Sequence, residues 1–180
     1  VADKLIEVAE YYGFDGWFIN QETAGGNSQT AINMREFMIY FQENSNLELE
    51  WYDAMTENGS VSWQNQLNSL NDWYFQWGDT LVSETMFLNF WWSAAGLNNS
   101  RTLAQSLNRS EYDLFAGIDV EANGYNSSIN WSAPFPNGLP HVTSLGIYRP
   151  DWCYNSSTSL ADYYNRSSIF WVGWNRDPSN

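Results

Sequence analysis

Short hydrophobic runs recur along the chain and predict a series of buried strands. Five of them have the length of a strand, at residues 14–22, 47–53, 85–92, 114–120 and 142–149. Their starting points are 33, 38, 29 and 28 residues apart. This spacing leaves room for one helix after each strand, as in a chain of βα units.

The segments between the runs have apolar residues at helical spacing. Before the first four runs, the helical positions are Leu5, Ile6, Ala9 and Tyr12; Met34, Phe37, Met38 and Phe41; Leu67, Leu70 and Tyr74; and Leu103 and Leu107. After the fifth run, Ser159 precedes Leu160, Tyr163 and Tyr164 as a helix cap. The alternation predicts a parallel α/β sheet, either a barrel or an open doubly wound sheet.

The ends of the strands favour the barrel. Four runs finish in groups that can handle a ligand: Asn20 and Glu22, Tyr52 and Asp53, Trp91 and Trp92, and Asp119 and Glu121. In a (β/α)8 TIM-type barrel these ends would meet at one mouth, where the chemistry of such folds takes place. A complete barrel takes about 250 residues, and this chain has 180. Either the fold is smaller than such a barrel or residues 1–180 form part of one, and we expect the second.

The charge, the length of the apolar runs and the aromatic content limit the kinds of molecule that this chain is expected to bind. The formal net charge of −14 would repel a phosphate backbone, which argues against nucleic-acid binding. No apolar run approaches the roughly 18 residues of a membrane-spanning helix. The 11 Trp, 11 Tyr and 10 Phe exceed the needs of a core of this size. Sugars stack on such rings while amides and carboxylates bind their hydroxyls, although core packing is the better explanation for most individual rings.

Several catalytic chemistries lack the residues that they need. His141 is the sole histidine, so neither a nucleophilic triad nor a zinc site is well supplied. No phosphate-binding glycine motif is present, and no cofactor is expected. Cys153 is the sole cysteine, which leaves a buried thiol or a partner outside these residues as the alternatives.

Carboxyl chemistry remains, and it centres on the end of the first strand. Asn20 and Glu22 are two residues apart, so their side chains share one face of the strand. Glu22 can serve as a general acid if an apolar wall raises its pKa. Asn20 stands where a second carboxylate is expected, and this favours the substrate-assisted exception, in which a 2-acetamido group attacks its own anomeric carbon. Tyr52 could donate to that acetamide, could hold the water, or could serve only in packing at the edge of the site. For the segment that ends in Asn20 and Glu22, the alternative without a function is a strand that runs into a polar loop.

A set of long motifs extends this interpretation. They are residues 12–22 (YGFDGWFINQE), 51–55 (WYDAM), 63–65 (WQN), 87–92 (FLNFWW), 117–120 (GIDV) and 170–178 (FWVGWNRDP). In order and spacing they resemble the catalytic domain of the endo-β-N-acetylglucosaminidases of glycoside hydrolase family 85. The resemblance covers nearly the whole chain. It begins in the helix before the fourth strand of the barrel, which implies that strands 4 to 8 are present and that strands 1 to 3 lie outside this sequence.

The resemblance implies a function and a set of site residues. Glu22 resembles the family's general acid/base, Asn20 its acetamide-orienting amide, and Tyr52 the tyrosine that assists the intermediate. The residues expected to bind substrate are Trp63, Asn89, Phe90, Trp91 and Asp119. The implied reaction is retaining hydrolysis of the GlcNAc-β-1,4-GlcNAc core bond of N-linked glycans, through an oxazolinium intermediate.

Two other functions use the same residue types. A lectin-like barrel would need the rings and amides without catalysis. A chitinase of the family 18 type expects an Asp two residues before the acid, where this chain has Asn20. The expected partners are an N-glycan or glycoprotein substrate and the remaining part of the same barrel, with neither nucleic acid nor membrane.

Seven Asn-x-Ser/Thr sequons suggest glycosylation of the chain itself. They lie at Asn58, Asn98, Asn108, Asn126, Asn130, Asn155 and Asn165, mostly in segments that read as loops. They predict a secreted or endomembrane, including lysosomal, protein, with a cytoplasmic location as the alternative.

Overall fold

A computed structural model describes residues 1–124 and 128–172 of the chain, apart from the side chain of Phe170. Within these residues the α-helices are α1 (Ala2–Tyr12), α2 (Ser28–Asn44), α3 (Ala94–Ser106), α4 (Val120–Asn123) and α5 (Leu160–Val172). The strands are β1 (Gly16–Ile19), β2 (Glu48–Tyr52), β3 (Gln76–Trp77), β4 (Thr80–Leu81), β5 (Thr85–Leu88), β6 (Leu114–Asp119) and β7 (Ser144–Tyr148).

The main sheet contains one strand from each of the five hydrophobic runs. Its order is β1-β2-β5-β6-β7, and the pairs β1–β2, β2–β5 and β5–β6 are parallel. The predicted parallel α/β fold is thereby confirmed. The strands follow one another in sequence order, and the helices α2 and α3 return the chain to the start of β2 and of β6.

Close pairing at the start of β1 depends on a glycine. Gly16 is opposite Glu48 in the parallel register. A Cβ atom at position 16 would lie 2.1 Å from the carbonyl oxygen of Glu48, closer than any side chain tolerates. Only glycine allows β1 to approach β2 at this point.

One face of the sheet forms the hydrophobic core with the helices. Alternate residues of the strands are fully buried there, namely Leu49, Trp51, Met86, Leu88, Leu114 and Ala116. They belong to one cluster with Met38 and Phe41 of α2 and with Leu97 and Ala104 of α3. The predicted helices before β1, β2 and β6 and the helix after β7 are therefore confirmed, and the Ser159 hydroxyl accepts from the Asp162 N–H at 3.1 Å.

The opposite face of the sheet is lined by aromatic rings. Phe18, Tyr52 and Phe87 occupy adjacent strands, with ring centroids 5.7 to 5.9 Å apart. Glu50 stands on this face two residues before Tyr52, and burial raises its pKa to about 7. This face leads to the strand ends that the sequence marks as a site.

The prediction of a helix around Leu67, Leu70 and Tyr74 is wrong. The segment forms turns, a short 3-10 helix (Asp72–Tyr74) and the antiparallel hairpin β3–β4. Asparagine side chains take backbone N–H groups that a helix would use. Asn71 Oδ1 accepts from the N–H of Asn68 at 2.8 Å, and Asn68 Oδ1 accepts from that of Leu70 at 2.9 Å.

The described chain divides into two compact units. The first contains Val1–Ala116 and Trp131–Leu145, and so includes β1 to β5 and α1 to α3. The second contains the described residues of Gly117–Asn130 and Gly146–Asn180, with α4, the 3-10 helix Pro150–Ser156 and α5. In the described ranges, none of the helices combines the length and the apolar character that a bilayer crossing requires.

Candidate active site

The amide and the carboxyl at the end of β1 contact each other. Asn20 Nδ2 donates to Glu22 Oε2 at 3.2 Å, as expected for side chains on one face of an extended segment. The indole Nε1 of Trp63 donates to the other oxygen, Glu22 Oε1, at 2.9 Å. Three residues that the sequence proposed for the site therefore meet at one carboxylate. The apolar enclosure expected around Glu22 is not formed by the described residues, since its side chain is exposed.

Tyr52 occupies the next strand and has a buried hydroxyl. Its Oη donates to Asn89 Oδ1 at 2.6 Å. Its ring packs against those of Phe18, Phe87 and Phe90, with centroids 5.7, 5.9 and 6.4 Å away. In the sheet register Ile19 lies opposite Trp51, so Asn20 and Tyr52 are the next residues along β1 and β2. The strand ends thus place the candidate tyrosine beside the amide and carboxyl pair.

Asn65 connects the Tyr52 group to the loop that carries Trp63. Its Oδ1 accepts from Asn89 Nδ2 at 3.0 Å and from the backbone N–H of Trp91 at 2.9 Å. Its Nδ2 donates to the carbonyl of Trp63 at 3.2 Å. Asn65 has a φ of 56°, in the left-handed region that asparagine tolerates better than most residues.

The buried carboxylate of Asp53 binds the loop that carries Trp63 and Asn65 through hydrogen bonds. Its Oδ2 accepts from the N–H of Asn65 at 2.5 Å and its Oδ1 from Asn71 Nδ2 at 2.8 Å. Burial raises the pKa of Asp53 to about 6, while these bonds and the N–H groups of Gln64 and Asn89 oppose the rise. Asp53 was recognised in the sequence only as a strand-end carboxylate, and the role of Asn71 was missed. The amide side chains that follow Trp63 in the sequence are the signal that could have indicated these hydrogen bonds.

Glycine contacts keep the loop after Glu22 against the turn that precedes Trp63. Gly59 has a φ of 83°, and a Cβ atom there would lie 2.1 Å from the carbonyl oxygen of Asn27. Asn27 in turn is the N-cap of α2, where its Oδ1 accepts from the N–H of Thr30 at 3.0 Å. This close approach joins the two segments that supply Glu22 and Trp63.

Aromatic side chains border the polar groups and remain accessible. Trp63 is 44% exposed and Trp91 is 83% exposed, whereas Phe90 is half-buried against Tyr52 and Phe87. Exposed indole rings beside amides and a carboxylate suit the apolar face of a sugar. The structure therefore gathers Asn20, Glu22, Tyr52 and the sequence-predicted residues Trp63, Asn89, Phe90 and Trp91 within the first unit.

The other candidates lie elsewhere in the described chain. Asp119 belongs to the second unit, where its Oδ1 accepts from the Ala122 N–H at 3.0 Å and caps α4, and its contact with substrate stays a prediction. His141 is exposed and packs edge-on against Phe135. Cys153 is buried in the 3-10 helix Pro150–Ser156. Across residues 1–124 and 128–172, His, Cys, Asp and Glu side chains form no group of three suited to a metal ion.

The sequence predicts that most of the sequon asparagines lie in loops, but only three of the six described ones lie outside helices. Asn98 and Asn165 lie within α3 and α5, and Asn155 lies in the 3-10 helix Pro150–Ser156. Asn58, Asn108 and Asn130 lie in turns or loops, and Asn126 falls outside the described residues. Modification at these positions stays a prediction.

Sequence and structure comparisons place these features in a family context. The model of glycosyl hydrolase family 85 matches residues 1–180. The cytosolic endo-beta-N-acetylglucosaminidase of Danio rerio is 29% identical over 178 residues, covering 94% of this chain and 24% of the relative. Cytosolic endo-beta-N-acetylglucosaminidase 2 of Arabidopsis thaliana is 31% identical over 163 residues, covering 87% and 22%.

A solved structure agrees with these relatives. The glycoside hydrolase domain of Endo-D from Streptococcus pneumoniae R6 superimposes with a TM-score of 0.89 at 34% identity, covering 97% of this chain and 29% of that one. This chain therefore spans about a quarter of the length of the curated relatives that it matches.

The names of the relatives correct one expectation. The matched enzymes of zebrafish, Arabidopsis and human are all named cytosolic, which contradicts the prediction of a secreted protein. The sequon is a three-residue pattern, and a chain rich in Asn, Ser and Thr forms it without any passage through the secretory pathway.

Proposed function

The chain belongs to glycosyl hydrolase family 85, and on that premise we propose that it supplies the acid-carrying part of an endo-β-N-acetylglucosaminidase acting on N-linked glycans. The bond cleaved is the β-1,4 linkage between the two N-acetylglucosamines of the core. One N-acetylglucosamine stays on the asparagine of the glycoprotein. The names of the relatives favour the cytosol as the place of this reaction.

The observation that carries this proposal is the contact between Asn20 and Glu22. A carboxylic acid must protonate the departing oxygen, and a second group must deal with the positive charge at the anomeric carbon. Asn20 Nδ2 lies 3.2 Å from Glu22 Oε2, so an amide occupies the position beside the acid. An amide is too weak a nucleophile to form a glycosyl-enzyme, and the substrate must therefore provide its own.

The proposed chemistry takes place in two steps. In the first, the acetamide oxygen bonds to the anomeric carbon as the glycosidic C–O bond breaks, and protonated Glu22 gives its proton to the leaving oxygen. Asn20 orients the acetamide and accepts from its N–H as positive charge develops. In the second, Glu22 takes a proton from water, the water oxygen bonds to the anomeric carbon, and the ring of the oxazolinium opens. Two inversions give net retention.

The aromatic surroundings support a sugar as the ligand. Trp63 holds Glu22 through its indole N–H at 2.9 Å and still exposes its ring. The side chain of Trp91 is exposed to solvent. It lies near Trp63 because Asn65, two residues after Trp63, accepts from the backbone N–H of Trp91. Two accessible indoles beside a carboxyl and an amide match a hexose with apolar faces and hydroxyl edges.

We also propose that strands outside these residues complete the barrel around the site. The predicted strands 4 to 8 would then correspond to the five strands of the main sheet, which are β1, β2, β5, β6 and β7. The aromatic face with Phe18 and Glu50 would then point into the barrel. An intact mass of the native protein well above 20.8 kDa is the expected result.

Mass spectrometry of a glycopeptide tests the function. The intact protein is incubated with a peptide that carries one high-mannose N-glycan, and the expected product is the same peptide with a single N-acetylglucosamine. A glycopeptide that is bound but unchanged would indicate a lectin-like protein. Cleavage of chitin oligomers with no action on the glycopeptide would indicate a chitinase instead.

A further inference from the structure

We infer that Asn65 is a positioning residue of the proposed reaction, because it fixes the amide of Asn89 and thereby the direction in which the Tyr52 hydroxyl points. The inference rests on the proposed function for its consequence on rate. Its structural part rests on five hydrogen bonds within the first unit of the chain.

The orientation of both amides follows from one backbone group. The N–H of Trp91 can only donate, so the Asn65 atom that lies 2.9 Å from it must be the carbonyl oxygen. The same oxygen lies 3.0 Å from the Asn89 amide, which must therefore turn its NH2 toward Asn65. The carbonyl oxygen of Asn89 is then left to face Tyr52.

This arrangement makes the Tyr52 hydroxyl the donor in its hydrogen bond with Asn89. A carbonyl oxygen can only accept, so the Tyr52 O–H donates to Asn89 Oδ1, at 2.6 Å. Both Tyr52 and Asn89 are buried, which makes an alternative bond to bulk water unfavourable. The proton of the hydroxyl is thus committed to Asn89. In the proposed reaction Tyr52 would therefore act through its oxygen as an acceptor, and it would not donate to the acetamide, which was one of the roles considered from the sequence.

The backbone of Asn65 is held independently of its side chain. Its N–H donates to the buried carboxylate of Asp53 at 2.5 Å, and Asn71 braces the same carboxylate at 2.8 Å. The φ of 56° at position 65 is one that glycine adopts without strain. Asn65→Gly therefore removes the carboxamide, and with it the bonds to Asn89, Trp91 and Trp63, while it keeps the N–H bond to Asp53.

Another asparagine of the chain provides a matched control. Asn108 has a φ of 57°, is exposed, and follows the C-terminal end of α3. Asn108→Gly makes the same chemical change in the same backbone conformation away from the strand ends that carry the site. Protein produced in bacteria avoids any effect of the sequon at this position.

The kinetic test is a double-mutant cycle in the intact protein. Glycopeptide hydrolysis is measured for the wild type, Asn65→Gly, Tyr52→Phe and the double variant. We expect Asn65→Gly to lower kcat about tenfold, with KM changed less than threefold, as the loss of a single aligned hydrogen bond would do. In the Tyr52→Phe background the same substitution should have a much smaller effect, because the hydroxyl that it directs is gone and only the bonds to Trp63 and Trp91 are still lost. Asn108→Gly should match the wild type.

The results that would overturn the inference differ from those that would overturn the proposed function. An equal loss of kcat from Asn65→Gly with and without the Tyr52 hydroxyl would show a merely structural role. A crystal structure of Asn65→Gly decides the relay without any activity: we expect the Asn89 amide to leave its present position, and an unchanged bond from Tyr52 to Asn89 would refute the relay. An inactive wild type would refute the proposed function and leave this structural result to stand or fall alone.

Discussion

The buried carboxyl of Asp53 should make the stability of the protein depend on pH in a defined direction. Burial raises its pKa from an ordinary value near 3.8 to about 6 in the folded state. The unfolded chain, in which the carboxyl is hydrated, releases the proton near the ordinary value. Between these two pH values the folded protein binds more protons than the unfolded chain, so the free energy of unfolding falls as the pH rises. The contribution is fully present below pH ~3.8 and is lost by pH ~6.

The size of the effect follows from the difference between the two pKa values. Two pH units correspond to about 3 kcal/mol in all, of which roughly 2 kcal/mol falls between pH 4 and pH 7. Exposed carboxyls give much smaller contributions. Asp53 is only 1% exposed and its hydrogen-bond donors are part of the fold, so solvent screening does not reduce the value greatly.

Urea unfolding of the intact protein, followed by tryptophan fluorescence at several pH values, measures this contribution. Asp53→Asn removes the titrating group, and Asp79→Asn removes an exposed carboxylate of a turn as a control. The difference in unfolding free energy between wild type and Asp53→Asn should change by about 2 kcal/mol from pH 4 to pH 7, in the sense that the wild type loses stability. Glu50, which burial also affects, is common to both curves and cancels. A difference that stays constant with pH would refute this account of Asp53.

Three further substitutions test the site and the sheet. Glu22→Gln should abolish glycan release, with a loss of at least about a hundredfold in kcat, because an amide cannot supply the proton; turnover like that of the wild type would remove Glu22 from the mechanism. Asn20→Gln should slow the cleavage of glycopeptide more than the use of a preformed sugar oxazoline, and equal losses with both donors would argue against the role of Asn20. Gly16→Ala should destabilise the protein by about 3 kcal/mol, since the added Cβ would lie 2.1 Å from a backbone oxygen of Glu48. An unchanged melting temperature would contradict the described pairing of β1 with β2.

The hydrophobic pattern was sufficient for the main sheet because periodicity reflects burial directly. Leu49 and Trp51 alternate with Glu48 and Glu50 in β2, and that alternation separates the two faces of the sheet. The approach of Asn20 to Glu22 after β1 was equally readable, since two residues on one side of an extended segment lie close together. The contact of Asn20 with Glu22 is therefore a consequence of local geometry.

Contacts between distant segments were not readable in the same way. Apolar residues at Leu67 and Leu70 suggested a helix, but the side chains of Asn68 and Asn71 bind the backbone and prevent it. The bond from Trp63 to Glu22 spans 41 positions, and it depends on turns held by single glycines and asparagines. The network of Asp53, Asn65 and Asn89 likewise depends on long-range approach, which periodicity does not encode.

The most direct test of the proposed reaction is to weaken the acetamide of the substrate itself. Synthetic N-glycan core substrates with an N-acetyl, N-fluoroacetyl, N-difluoroacetyl or N-trifluoroacetyl group on the non-reducing N-acetylglucosamine of the cleaved pair are compared with the intact protein. Each fluorine withdraws electrons from the carbonyl oxygen, so kcat should fall steeply along the series if that oxygen attacks the anomeric carbon. A kcat that is unchanged by fluorination would contradict attack by the substrate, and with it the role assigned to Asn20.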